Sequence, residues 1–133
     1  MSVTITLTDQ NQSTLRIAAY GAVSLLAAAG APHKGMTNGS IALTSATGVV
    51  GHVLSAKARD IKLTGKSVAE LAEQVLPALT EAMTVLGQQD PNEAENFRGT
   101  VLVAVEATTQ TGKGAPTPAV AAMARKITAA LDA

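Results

Sequence analysis

The longest patterned run of apolar positions lies between Ser67 and Leu86, where Val68, Leu71, Ala72, Val75, Leu76, Leu79, Ala82, Met83 and Leu86 recur at steps of three and four. Side chains at that period stack on one face of an α-helix. Ser67 and Glu70 open the run at the spacing of a capping box, in which the serine oxygen accepts from a first-turn amide and the glutamate reaches back to the cap's own amide. Pro77 removes one backbone donor inside the run, so a kink is expected there.

Four more segments carry pattern. Asp9 to Gly30, capped by Thr8 or Asp9, places Leu15, Ala18, Ala19, Ala22, Leu26 and Ala29 on one line and Ile17, Tyr20, Val23 and Ala27 on a second. A helix apolar on two sides is either central to a bundle or shared with a partner. Gly30 to Gly35, containing Pro32, breaks it. A second helix is predicted from Thr37 or Ser40 to Asp60, with Gly48 and Gly51 inside it. Interior glycines cost about 1 kcal/mol each against alanine, so they imply close approach by a neighbouring backbone. Residues 61–66 link it to the Ser67 helix. Asp90-Pro91-Asn92-Glu93 is another strong start, and Ala94, Phe97, Val101, Val105 and Thr108 continue on one face. Thr108 to Pro118 reads as loop, and Pro118 to Leu131 closes the chain as a helix with Val120, Met123, Ile127 and Leu131 inward.

Two stretches have strand character as well. Ser2 to Thr8 alternates Val3, Ile5 and Leu7 with polar residues, and Thr100 to Val105 is rich in β-branched side chains. The expected architecture is one all-α domain over residues 1–133, a compact bundle of about five helices with an extended N-terminal arm. The alternative is α+β, with a two-stranded ribbon from residues 2–8 and 100–106.

Composition narrows the function. The chain is 47% apolar, yet Tyr20 and Phe97 are its only aromatic residues, so base stacking has no platform. Ten basic and ten acidic residues balance to zero, which removes the long-range pull toward nucleic acid. Cysteine is absent, excluding disulfides and thiolate chemistry and making a reducing cytoplasm the simplest address. Met1 to Gln12 has no lysine or arginine to start a secretory signal, and the apolar run Ile17–Ala31 is shorter than the ~20 residues of a bilayer crossing. No membrane and no nucleic acid partner is expected.

Candidate chemistry is sparse. Gly65-Lys66-Ser67 stands at a helix start like the end of a phosphate-binding loop, but Asp60 occupies the place of that pattern's first glycine; Gly112-Lys113-Gly114 fails likewise at Ala107. Both read as cap and turn. His33 and His52, the two histidines, lack a second ligand three or four residues away, so no metal site is expected. Glu70 with Glu73, and Glu93 with Glu95, lie in first helical turns where the dipole favours negative charge. Lys57, Arg59, Lys62 and Lys66 precede the acidic run Glu70, Glu73, Glu81, Asp90, Glu93 and Glu95, a segregation that can align two copies or dock a charged partner. The two Asn-x-Ser patterns at Asn11 and Asn38 have meaning only in a secreted chain.

The resulting expectation is a non-catalytic helical interaction or regulatory module acting as a homodimer through its two-faced first helix, with a protein partner possible and neither cofactor nor catalytic residue. The alternative is a small-ligand binder with an apolar pocket between helices near Tyr20, His52 and Phe97. Third comes an enzyme using His52 or His33 as base.

Overall fold

A computed structural model describes residues 7–56, 63, 65–110 and 116–133. Six helices lie within them: α1 (Asp9–Ala29), α2 (His33–Thr44), α3 (Gly48–Ser55), α4 (Val68–Gln89), α5 (Pro91–Thr109) and α6 (Pro118–Asp132). The described residues form an all-α bundle and contain no strand. Residues 100–106, one half of the alternative ribbon, are helical throughout. The helix wins there because Val101 and Val105 face the core at a four-residue step while Val103 between them stays 58% exposed, a pattern that a strand buried on both faces does not give. Val3 and Ile5 of the expected arm lie outside the described residues, as do Lys57, Arg59, Asp60 and Lys62 and the Gly112-Lys113-Gly114 turn.

Helix α1 is the axle of the bundle and touches each of the other five. Its first apolar side is used within the chain, with Leu15, Ala18, Ala19, Ala22 and Leu26 buried together with Val23 and Leu25, while Ile17, Tyr20 and Ala27 of the second side are half-buried. Thr8 caps it, accepting from the Asn11 amide at 3.0 Å. Gly30 ends it at φ +123°, donating to Ala27 O at 3.1 Å while the Ala31 amide donates to Leu26 O at 2.9 Å, the paired bonds of a Schellman turn.

The single second helix expected from Thr37 or Ser40 to Asp60 is instead two. Helix α2 starts earlier, directly behind Pro32, and stops at Thr44; α3 runs from Gly48 to Ser55. At the break, the Thr44 and Ser45 hydroxyls both donate to Ile41 O, at 3.0 and 2.8 Å, and Gly48 takes φ +72°, which L side chains rarely adopt.

Close backbone approach occurs, but not at Gly48 and Gly51. It occurs at Gly35 and Gly39 on α2, where an added Cβ would run into the Thr108 carbonyl oxygen and the Thr108 hydroxyl of α5, respectively. Gly51 faces only Ala46 O in the turn just before it, a local contact. With Gly35 beside Thr108 at one end, and the Asn96 amide donating to Thr47 O at 2.8 Å at the other, α2 and α5 run antiparallel.

At eight residues, α3 is shorter than the ~12–15 that an isolated helix needs in water, so its neighbours must hold it. They hold both ends. Thr47 makes no side-chain cap; the Glu93 carboxylate of α5 accepts from the Val50 amide at 3.1 Å instead. At the far end the Arg16 guanidinium of α1 donates to Val53 O at 3.0 Å, and the Tyr20 hydroxyl, one turn on, donates to Leu54 O at 2.6 Å. Anion at the N-terminus and cation at the C-terminus both match the helix dipole.

Ser67 caps α4 as expected, accepting from the Glu70 amide at 3.1 Å, while the Glu70 carboxylate reaches one residue further back than a capping box requires, to the Lys66 amide at 2.8 Å. Pro77 sits inside an unbroken α4 on its exposed side, together with Glu73, whose carbonyl loses its donor. Asp90 closes α4 through its amide to Leu86 O at 2.7 Å and opens α5 by accepting from the Asn92 amide at 3.0 Å. Helix α6 is tied down by the Thr80 hydroxyl on Ala130 O at 2.7 Å and by Arg98 Nε on Asp132 Oδ1 at 2.7 Å.

Candidate functional site

The three residues expected around a ligand pocket have separate environments. Phe97 is wholly buried in the core. Tyr20 is half-buried with its hydroxyl committed to Leu54 O, which brings it to α3 two residues from His52. Burial pushes its phenol above the ordinary range, with nearby Arg16 acting in the opposite sense. His52 is exposed, and so is His33 on α2.

The other candidates resolve into local structure. At Gly65-Lys66-Ser67, the Lys66 amide that would face a phosphate is already held by the Glu70 carboxylate, and Ser67 is a cap. Glu93 accepts from the Val50 amide at the N-terminus of α3 and, within α5, from Asn96 Nδ2 at 3.5 Å. Among the described residues no three His, Asp or Glu side chains gather as metal ligands, and no helix is long and apolar enough to cross a membrane.

What stands out is a surface. Ile41 on α2 and Val103 on α5 are large apolar side chains left 58% exposed. The antiparallel register that sets Gly39 beside Ala104 O, and Thr47 beside Asn96, puts Ile41 level with Val103. Between the two helices runs a hollow of about 440 Å³ whose lining includes Ala42, Ala46, Glu95, Gly99 and Val103. Gly99 keeps it open, since a Cβ there would meet nothing within 4 Å. A second hollow of about 420 Å³ follows the opposite flank of α2 past His33, Met36 and Ile41, so Ile41 stands on the ridge between them. Neither hollow is lined by Tyr20, His52 or Phe97.

Sequence reasoning missed this surface because the register that brings Ile41 level with Val103 joins segments about 60 positions apart. The available signal was that Val103 falls off the stripe set by Phe97, Val101, Val105 and Thr108. Comparison with family models, with curated proteins and with solved structures finds no match to this chain.

Proposed function

We propose that this protein is a non-catalytic helical interaction module that works as a homo-oligomer, with the α2–α5 face as its contact surface. The observation that carries the reading is the pair Ile41 and Val103, exposed at one level on two packed helices beside an open groove. Apolar area of this kind gains about 25 cal/mol per Å² when covered, and a second protein surface is the ordinary way to cover it. The central position of α1, which touches every other helix and leaves none of its large apolar side chains fully exposed, further supports a self-contact on the α2–α5 face.

Sedimentation equilibrium tests it. The wild-type mass should rise from 13.4 kDa toward twice that value as loading increases from micromolar to millimolar. The double variant Ile41→Asp with Val103→Asp should remain monomeric with unchanged helical circular dichroism. A wild-type chain that stays monomeric across the series, or a double variant that associates equally well, overturns the proposal.

A further inference from the structure

We infer that the occupant of this face is a second copy related by a two-fold axis, with Ile41 seated on the partner's Val103 at the mouth of the groove and Lys34 paired with the partner's Glu95. The inference rests on the self-association reading and specifies its geometry and the residues that select the partner.

Shape is the first argument. A two-fold contact needs a surface complementary to itself, so projection and recess must share one face. Ile41 is the projection, and the groove beside Gly99 and Val103 is the recess. Because α2 and α5 lie side by side, a two-fold axis normal to the face at the Ile41–Val103 level lays each copy's α2 along the other's α5. Ile41 then meets the partner's Val103 twice, as a ridge entering a groove.

Charge is the second argument and is independent of the first. Lys34 lies seven residues before Ile41, two turns along the same stripe and about 10 Å toward one end of the face. Glu95 lies eight residues before Val103 on the groove wall, about 12 Å toward the other end because α5 runs the opposite way. Lys34 and Glu95 therefore mark opposite ends of the face at matched distances from its apolar centre, with Glu106 between that centre and the Lys34 end. The two-fold operation superposes those ends with opposite sign, giving two Lys34–Glu95 pairs. Glu106, a turn beyond Val103, falls opposite the neutral Thr44 and Ser45 of the partner and meets no like charge in that register. Arg98, one turn from Glu95, is bonded to Asp132 and also feels the Glu95 carboxylate, so the partner's Lys34 adds to a charge contact that Glu95 already has.

The face is about 18 Å long, the length of the 12-residue α2, and about 20 Å wide, well below the ~800 Å² per partner of a standard stable complex. Association is accordingly reversible and sensitive to salt.

Sedimentation equilibrium at low ionic strength, on wild type, Lys34→Glu, Glu95→Lys, the double reversal and Gly99→Leu, tests the geometry. Each single reversal turns two attractions into two repulsions and should weaken dimerisation about tenfold, while the double reversal should restore it. Gly99→Leu fills the groove and should abolish the dimer while raising the melting temperature by a few degrees, since it replaces a glycine inside α5 whose Cβ position is open. A wild-type chain that never dimerises removes the self-association reading itself. A dimer indifferent to the reversals and to Gly99→Leu leaves self-association standing and overturns the two-fold arrangement, as does a double reversal that fails to rescue weakened singles.

Discussion

Replacing Gly39 by alanine tests whether α2 and α5 meet at backbone distance. In a helix interior the substitution by itself is favourable by about 1 kcal/mol. Here the added carbon would collide with the Thr108 hydroxyl, with Val23 Cγ2 at 3.1 Å and Ala104 O at 3.2 Å behind it. Thr108 is fully buried and its hydroxyl donates to Ala104 O at 2.7 Å. Turning that hydroxyl away strands a buried donor at a cost of about 1–3 kcal/mol. Keeping it and spreading the helices is overpacking, also about 1–3 kcal/mol. Either route offsets the propensity gain, so Gly39→Ala should destabilise by up to about 2 kcal/mol. Gly87→Ala is the control: its Cβ meets nothing within 4 Å, and it should stabilise by about 1 kcal/mol.

At roughly 3–5 °C per kcal/mol for a chain of this size, the two variants should melt up to about 10 °C apart by far-UV circular dichroism. A second-site test sharpens the point. Thr108→Ala should recover much of the Gly39→Ala loss, because it deletes the obstructing hydroxyl, but should not recover Gly35→Ala, whose added carbon meets the Thr108 carbonyl oxygen. Gly39→Ala melting with Gly87→Ala, or Thr108→Ala rescuing both α2 variants alike, would refute the close approach.

The other expectations are simpler. Glu93→Ala should cost about 1–2 kcal/mol and specifically speed amide exchange at Val50, the donor it accepts from; unchanged Val50 exchange would show that α3 does not depend on this cap. Tyr20 is the only tyrosine and there is no tryptophan, so its phenolate absorbance can be read alone. Its midpoint should lie above the usual ~10, with the corresponding stability intact below that pH and lost as pH rises through the folded value; a midpoint at or below ~10 contradicts the burial of the phenol against α3. The Asp132 carboxyl is held below the ordinary carboxylate range, first by its hydrogen bond from Arg98. Asp132→Asn should therefore be less stable than wild type at neutral pH, and the gap should close as pH falls through the folded value; a gap that persists in acid points to a cause other than the ion pair. Phe97→Ala, at a site with no exposure, should cost about 3–5 kcal/mol in urea unfolding, and a loss under 1 kcal/mol would mean the core closes around it.

Local chemistry made most of the helices legible in the chain. Ser67, Asp90, Thr8 and Gly30 act on amides and carbonyls within five residues, so their sequence neighbours suffice to read them. The inward faces of α4 and α6 follow equally from a period that depends only on helix geometry. The division of the second helix was less visible, since the Asn96 amide holds the turn at Thr47 O and Glu93 holds the start of α3 at the Val50 amide, both from far along the chain. The expected pocket residues were chosen for scarcity, and scarcity does not determine where a side chain goes: Phe97 fills the core and Tyr20 holds a helix end.

What the sequence by itself determined is where helices start, stop and turn their apolar stripes, because hydrogen bonds within one or two turns and the 3.6-residue repeat decide those matters locally. Only the tertiary structure decided that Gly35 and Gly39 carry the close contact, that Glu93 and Arg16 clamp α3, and that Ile41 and Val103 are left on one outer face. Those outcomes depend on the register of α2 against α5 and on what α1 already covers, and a register between distant segments is fixed by the packing of the whole core.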